Sequence, residues 1–307
     1  MQQNKFYSVN LLDTIKTISV EKVQKQSRVR DLMAFVKIRL TFSVVLSAAL
    51  GFGIAPTPFD LWNLVLLLFG GFLITGASNG FNQIIERDID GLMKRTKNRP
   101  LPTGRMKVTE AFIIASLLGI SGLILLYLIN PLSAILGFLA FFIYVAVYTP
   151  LKKSTSLAVF VGAFPGAIPP MLGYVAANGH FGLEPGILFA VQFIWQFPHF
   201  WAIAWVSDAE YKKAGYHLLP SKKGKDSSSA YQMFLYSLFL IPVSLLPWAY
   251  GMTGLWSAIA ITFLGLAFAF LAWKHTQKLA DKTALRIMFA SFIYLPVVQL
   301  LYLLNTL

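Results

Sequence analysis

LWNLVLLLFGGFLITGASNGFNQIIERDIDGLMKRTKNRPLPTGR, residues 61–105, contains both the apolar run and the charges that decide the fold. The first part is long enough to cross a bilayer, which takes about 20 predominantly apolar residues as helix. The second part crowds three acids against a run of bases. The acids are Glu86, Asp88 and Asp90, and the bases are Lys94, Arg95, Lys97 and Arg99. This pattern suggests a divalent metal that holds a polyanion at the membrane face.

The composition of the whole chain agrees with a membrane protein. Of its 307 residues, 56% are hydrophobic and only 13% are charged, whereas a soluble domain would carry about 25% charged residues. The chain has no cysteine, which excludes disulfides and thiolate metal sites.

Nine apolar segments near the length of a membrane span follow a polar N-terminal arm, residues 1–34, which we expect to be cytoplasmic. We therefore predict an all-α transmembrane domain over 35–307. The predicted spans are 36–55, 62–85, 110–129, 132–150, 156–177, 187–207, 231–250, 256–273 and 287–304.

All 26 Lys and Arg residues lie in the N-terminal arm and first span through Arg39, or at alternate connections between the predicted spans. The positive-inside rule then predicts a cytoplasmic N-terminus and an outside C-terminus. It accounts for the net charge of +13 without nucleic acid, which we exclude as a partner. The expected location is the bacterial cytoplasmic (inner) membrane.

Helical periodicity selects among the acids of the first cluster. At about 3.6 residues per turn, a helix that continues through Asp90 places Asn82, Glu86 and Asp90 on one face. Asp88 then points elsewhere, as a solvated bystander. Mg²⁺ prefers oxygen ligands and commonly uses one or two carboxylates together with substrate phosphates. We therefore predict that Asn82, Glu86 and Asp90 are metal ligands and catalytic residues.

An alternative is that Glu86 and Asp90 are ordinary interfacial charges, paired with Arg87, Lys94 or Arg95. The basic run favours the metal interpretation, because its side chains could bind phosphate oxygens. The predicted diphosphate contacts are Arg87, Lys94, Arg95, Lys97, Arg99, Tyr148 and Lys152, although positive-inside charge alone would also explain Lys152.

A second polar group lies at the end of the sixth predicted span. His199 sits inside an apolar segment, where an ionisable side chain is costly and usually functional. If the helix persists, Glu210 lies on the same face. We predict His199 and Glu210 as catalytic residues, and Glu210 also as a metal ligand. The alternative for His199 is a core histidine bonded to a neighbouring helix. In the fifth span, small residues and prolines from Gly162 to Tyr174 predict close helix approach or a break that lines a cavity.

Together these stretches resemble the intramembrane prenyltransferase superfamily of the UbiA type. The elements around His199 and Glu210 are most similar to the haem O synthases (protohaem IX farnesyltransferases). The resemblance is carried by N-x-x-x-E-x-x-x-D at 82–90, RTKNRPLPTGR at 95–105, YTPLKK at 148–153, GAIPPMLGY at 166–174, WQFPHFWAIAW at 195–205 and EYKKAGYHLLP at 210–220.

The resemblance implies a bundle of nine transmembrane helices whose active site opens to the cytoplasm. It implies Mg²⁺-bound diphosphate at Asn82, Glu86 and Asp90, and transfer of farnesyl from farnesyl diphosphate to a vinyl group of haem b, which is a substrate. Under it, His199 would bind the haem iron or orient a water molecule. A haem A synthase or a terminal-oxidase assembly is then a candidate partner.

Two rival functions remain open from the sequence. One is prenylation of a quinone precursor such as 4-hydroxybenzoate. The other is a transporter that uses the fifth span and His199 as a translocation site. The acids gather at one membrane face rather than at the midplane, which favours an enzyme.

Overall fold

The computed structural model describes residues 27–307, and within that range the chain is a bundle of helices. Of the predicted arm, residues 1–26 lie outside the described residues, while residues 28–34 are helical. The helices are α1 Arg28–Phe35, α2 Ile38–Ile54, α3 Leu61–Asp90, α4 Val108–Ile129, α5 Pro131–Phe142, α6 Ala158–Asn178, α7 Leu183–Val206, α8 Asp208–Lys213, α9 Ser227–Ser244, α10 Leu255–Lys278 and α11 Asp281–Leu304.

The nine predicted spans are confirmed by length and apolar character within the described residues. Eight helices are long and apolar enough to cross a membrane, and α1 with α2 makes a ninth span that is bent by 48°. The span that begins with α5 continues through a π-helical segment, Ile143–Tyr148, and ends with Thr149–Leu151. The span of α9 ends with a further turn, Leu246–Ala249.

Polar side chains fix where several spans begin. Asp60 accepts hydrogen bonds from the backbone N–H groups of Trp62 and Asn63, which caps the start of α3. Asn130 caps α5 through the N–H of Ser133. Such caps satisfy N–H groups that have no partner within the helix. The cap on α3 fixes one end of a 30-residue helix whose other end carries the acidic cluster.

Small residues bring α2 and α6 into close contact, as the glycine- and proline-rich fifth span predicts. A Cβ atom on Gly173 would lie 1.8 Å from the backbone oxygen of Ala48, and one on Gly51 would lie 2.1 Å from that of Pro170. Helix α6 is continuous despite Pro165, Pro169 and Pro170. Of the two predicted alternatives for this motif, the structure shows close helix approach and not a broken helix.

Gly173→Ala is expected to destabilise the bundle by about 1–3 kcal/mol, the usual effect of overpacking, because backbone atoms cannot yield as a side chain can. Gly186→Ala is the matched control, since a Cβ there meets nothing within 4 Å. The measurement is the midpoint of thermal unfolding in detergent. Equal midpoints for the two variants would contradict the close contact.

The other spans pack against their neighbours, and a polar loop follows the end of α3. Helix α3 packs on α4, α6 packs on α7, and α7 packs on both α9 and α11. In the loop after α3, Arg105 donates hydrogen bonds to both carboxylate oxygens of Asp31 on α1, at 3.0 and 3.2 Å. Both side chains of this pair are buried. The bent first span is thereby tied to the loop that carries the basic run.

Candidate active site

A cavity of about 210 Å³ lies at the end of α3, between the loop that follows it and the loop around α8. Most of its charged and aromatic lining comes from segments far apart in sequence. The charged residues are Lys37, Glu86, Asp90, Arg95, Arg99 and Lys152. The aromatic residues are Tyr144, Tyr148, Phe200, Tyr211 and Tyr216.

The predicted face of α3 forms one wall of this cavity. The helix continues through Asp90, and Asn82, Glu86 and Asp90 all line the cavity. Glu86 is 4% exposed and Asp90 is 1% exposed. The side chain of Asp88 is 88% exposed and pairs with Arg87. The geometric prediction for Asn82, Glu86, Asp90 and Asp88 is confirmed.

Glu86 is held by two partners from distant segments. Tyr216 donates its hydroxyl to Oε1 of Glu86 at 2.9 Å, and Lys152 forms an ion pair with the same oxygen. Burial raises the pKa of Tyr216, and the charge of Glu86 raises it further. Tyr216 therefore stays protonated and serves as a hydrogen-bond donor. Lys152 is buried and ion-paired, so positive-inside charge alone does not explain its presence.

Asp90 retains an oxygen that suits a cation. Arg99 Nη1 donates to Oδ2 of Asp90 at 2.6 Å, whereas Oδ1 is buried and has no hydrogen-bond partner within residues 27–307. A buried carboxylate oxygen without a partner is unfavourable. Residues 27–307 hold no group of three or more His, Cys, Asp and Glu side chains that could bind a metal. Two carboxylates and an amide fit a hard cation that keeps positions for substrate phosphates.

Lys37 reaches the same wall from the bend in the first span. It has a positive φ of 48°, an uncommon conformation for a residue with a side chain. Its Nζ donates to Oδ1 of Asn82 at 3.1 Å. The amide nitrogen of Asn82 donates to Thr149 Oγ1 at 3.1 Å. Asn82 is thus fixed with its oxygen toward an ammonium group, which occupies the position where an oxygen ligand would bind a cation.

The π-helical segment places two tyrosines in the cavity. Tyr144 and Tyr148 both line it, with ring centroids 5.3 Å apart. Single π-helical turns within α-helices are frequent at functional sites. Gly162 leaves room for the ring of Tyr148, since a Cβ there would lie 2.7 Å from it. The Lys152 Nζ lies 4.9 Å from the centroid of that ring.

The structure brings together only some of the predicted diphosphate contacts. Arg95, Arg99, Tyr148 and Lys152 line the cavity. Arg87 pairs with Asp88 instead, and Lys94 and Lys97 are exposed. Among the described residues, Glu86 and Asp90 pair with Lys152 and Arg99, not with Arg87, Lys94 or Arg95. The binding roles of these residues stay predictions.

The second predicted cluster is arranged differently from the expectation. Helix α7 ends at Val206 and α8 begins at Asp208, so the assumption of one helix from His199 to Glu210 is wrong. Because Ser207 interrupts the helix, the angular argument for a shared face no longer applies. Neither His199 nor Glu210 lines the cavity, and their catalytic roles stay predictions. Pro198 lies inside α7 without ending it.

The carboxylate of Glu210 joins two loops. Its Oε2 accepts a hydrogen bond from the backbone N–H of Lys94 at 2.5 Å, which lowers the pKa of Glu210. Lys213 Nζ lies 3.4 Å from Oε1. The ionised carboxylate therefore connects α8 to the loop that carries Arg95. No contact in the described part of the chain links Glu210 to Glu86 or Asp90.

Glu210→Ala is expected to leave the Mg²⁺ concentration for half-maximal activity unchanged. The same variant should speed tryptic cleavage after Lys94 and Arg95, because the loop loses its contact with α8. Asp208→Ala, a neighbouring loss of a carboxylate on α8, serves as the control for cleavage. A rise of tenfold or more in the Mg²⁺ requirement of Glu210→Ala would instead support the predicted metal role.

Sequence reasoning did not single out Lys37, Tyr144 or Tyr216. Lys37 lies one residue inside the first apolar segment, where a lysine is costly and functional roles are common. Tyr216 stands within EYKKAGYHLLP, one of the stretches that carry the resemblance. No local pattern predicts its contact with Glu86, which is 130 residues away in the chain.

Comparison with known proteins agrees with this geometry. Residues 44–294 match the sequence profile described as the UbiA prenyltransferase family. The chain belongs to the UbiA prenyltransferase family. It is 49% identical to the protoheme IX farnesyltransferase of Christiangramia forsetii over 90% of this chain and 93% of that protein. It is 46% identical to the protoheme IX farnesyltransferase of Flavobacterium psychrophilum over 97% and 98%, respectively.

Solved structures of UbiA prenyltransferases share the fold. A structure from work on digeranylgeranylglyceryl phosphate synthase in membranes matches with a TM-score of 0.77 at 21% identity, over 91% of this chain and 99% of that one. A UbiA homologue from Archaeoglobus fulgidus bound to GPP and Mg²⁺ matches with a TM-score of 0.64 at 17% identity, over 89% and 99%. The prediction of an all-α UbiA-type membrane bundle is therefore confirmed.

Proposed function

We propose that this UbiA prenyltransferase transfers farnesyl from farnesyl diphosphate to a vinyl group of protohaem IX, with addition of water, and releases pyrophosphate. The buried cavity that combines Asn82, Glu86 and Asp90 with several cations carries the proposal, because it suits a metal-bound diphosphate. The acceptor follows from the relatives, which are named protoheme IX farnesyltransferases at 46–49% identity.

Asn82, Glu86 and Asp90 are the residues that would hold the divalent metal. The buried Oδ1 of Asp90 has no hydrogen-bond partner among the described residues that the metal would have to displace. Mg²⁺ would neutralise the diphosphate and stabilise it as a leaving group. The homologue that binds GPP and Mg²⁺ supports this choice of metal. Glu210, also predicted as a metal ligand, bonds elsewhere in the described structure.

The cations of the cavity bind and orient the diphosphate. Arg95 lines the cavity and makes no ion pair among residues 27–307, so its guanidinium can bind phosphate oxygens directly. Arg99 lies beside Asp90, and Lys37 and Lys152 lie near Asn82 and Glu86. Positive charge on several sides would stabilise the departing pyrophosphate.

The reaction balances with water as the only additional reactant. The bond between C1 of farnesyl and the diphosphate oxygen breaks, and its electron pair leaves with pyrophosphate. The π electrons of the vinyl group form the new carbon–carbon bond to C1. Water adds to the resulting cation, which the porphyrin stabilises, and loses a proton. Tyr144, Tyr148 and Phe200 would exclude water from the allylic carbon before transfer.

The proposed location is the bacterial cytoplasmic membrane, with the cavity facing the cytoplasm. The gathering of Lys and Arg on one side supports this orientation. A haem A synthase or a terminal-oxidase assembly, which would receive the farnesylated haem, is the proposed partner.

Incubation of membranes with labelled farnesyl diphosphate and either haem b or 4-hydroxybenzoate tests the proposal. Chromatography and mass spectrometry should detect a product only with haem b, heavier by a farnesyl group and a water. A chelator should abolish the product, and Mg²⁺ should restore it. Membranes that carry Asp90→Asn are the control. A product with 4-hydroxybenzoate alone would favour the quinone pathway, and transport without a covalent product would favour a transporter.

A further inference from the structure

His199 is fixed at the contact between α7 and α11 by a hydroxyl group. Its Nδ1 lies 2.7 Å from Oγ of Ser291. Oγ of Ser291 lies in turn 2.6 Å from the carbonyl oxygen of Met288, to which it donates. Ser291 is fully buried. The imidazole therefore belongs to a short chain of hydrogen bonds that ends on the backbone of α11.

The hydrogen bonds of Ser291 are compatible with only one tautomer of His199. A serine hydroxyl has one proton to donate and lone pairs with which it accepts. Two oxygen atoms 2.6 Å apart require a proton between them, and a carbonyl has none, so the Ser291 proton points to Met288. The hydrogen bond between Ser291 and His199 must then use the proton of Nδ1. A neutral imidazole protonated at Nδ1 has its lone pair on Nε2.

Aromatic contacts fix the orientation of the His199 ring. Trp195 stacks on His199 with centroids 4.5 Å apart and an interplanar angle of 17°. Phe292 contacts it edge-on, with centroids 4.7 Å apart. Trp195 Nε1 donates to the backbone oxygen of Ser291 at 3.0 Å, so the stacking partner is fixed to the same turn of α11. Nε2 of His199 has no hydrogen-bond partner among the described residues.

His199 itself does not line the cavity, but residues close to it in α7 do. Phe200, the following residue, and Ile203, one turn later, both line the cavity. His199 contacts the ring of Phe200 with centroids 5.4 Å apart. The surroundings of His199 are aromatic, which suits a flat apolar ligand rather than a phosphate.

We propose that Ser291 is a positioning residue that holds His199 with the Nε2 lone pair free to bind the iron of the acceptor porphyrin. The proposal rests on the proposed function, because it assigns the acceptor side of the same reaction. Hydrogen bonds to the second nitrogen of a ligating histidine fix its orientation and raise its basicity, and their loss typically lowers metal affinity by about 10–100-fold.

The chain contains a second pair with the same chemistry that serves as a control. Nδ1 of His275 lies 2.7 Å from Oγ1 of Thr283, which donates to the carbonyl oxygen of Ala280. This histidine is fully buried against Trp205, and its Nε2 has no access to a ligand. Thr283→Ala removes the same type of hydroxyl from a histidine that lies outside the cavity lining.

Titration of the purified protein with haem b and with metal-free protoporphyrin IX tests the proposal. Ser291→Ala should lower the affinity for haem b by about 10–100-fold and shift the Soret band, without a change in affinity for metal-free protoporphyrin. Ser291→Thr should restore the affinity, and Thr283→Ala should leave both affinities unchanged. An equal loss for both porphyrins, or no loss for either, would overturn the proposal.

If Ser291→Ala does not fold, a second variant tests whether His199 is the iron ligand that the proposal requires. His199→Gly should bind haem b no more tightly than metal-free protoporphyrin IX and should lose the wild-type Soret band. Added imidazole should restore both the tighter binding of haem b and the band. Failure of imidazole to restore them would overturn the proposal. If the wild-type protein forms farnesylated haem but the variants keep the wild-type spectra, only the assignment of His199 as the iron ligand is refuted. A wild-type protein that forms no such product would refute the proposed function.

Discussion

Asp90→Asn is expected to lower the rate of prenyl transfer by at least about 100-fold, with little change in the amount of folded protein. The substitution keeps the shape of the side chain and removes the charge of a cavity carboxylate whose Oδ1 is buried without a hydrogen-bond partner among the described residues. The amide nitrogen would also repel a cation and the guanidinium of Arg99. The rate should fall because the substitution both weakens metal binding and disturbs the orientation of Arg99.

The matched control is Asp88→Asn, two residues earlier on the same helix. It removes an equal charge from a side chain that is 88% exposed and outside the cavity lining. Its activity should stay within about twofold of the wild type. The measurement is initial rate against Mg²⁺ concentration for both variants. Full activity of Asp90→Asn at low Mg²⁺, or equal losses in both variants, would remove the metal hypothesis.

The contrast between these two residues shows how far the sequence alone could lead. The helical period separates Asp90 from Asp88 without any structure, because the only assumption is that α3 continues through the acids. Charge distribution and span length likewise predict the nine membrane spans. These features depend on residues that are close together in the chain.

The parts of the site that the sequence did not predict depend on contacts between segments that are far apart in the chain. Tyr216 and Lys152 meet at one oxygen of Glu86 only because the segments after the α5 span and after α8 converge on the end of α3. Lys37 enters the cavity through a backbone conformation that is uncommon for lysine. The interruption of the helix at Ser207 invalidates the angular argument that placed Glu210 on the face of His199, because such arguments hold only within one helix.

Lys152→Met is expected to lower both activity and stability. Glu86 is buried and its charge is balanced directly by Lys152, so removal of the ammonium leaves an uncompensated carboxylate. Breaking a buried pair from one side costs about 3–5 kcal/mol. Tyr216 still donates a hydrogen bond to Glu86 but cannot replace the charge. Thermal unfolding in detergent and initial rates of transfer are the two measurements.

Lys153→Met is the control, because it removes an equal charge from the exposed neighbour and should change neither measurement. The double variant Glu86→Gln with Lys152→Met separates the two effects. It should regain most of the stability, since no buried charge is left unpaired, but it should stay inactive because the metal has lost a carboxylate. If the double variant were active, Glu86 would be a structural partner of Lys152 rather than a metal ligand. If Lys152→Met alone kept its stability, the pair would contribute nothing to the bundle, and Lys152 would serve only the diphosphate.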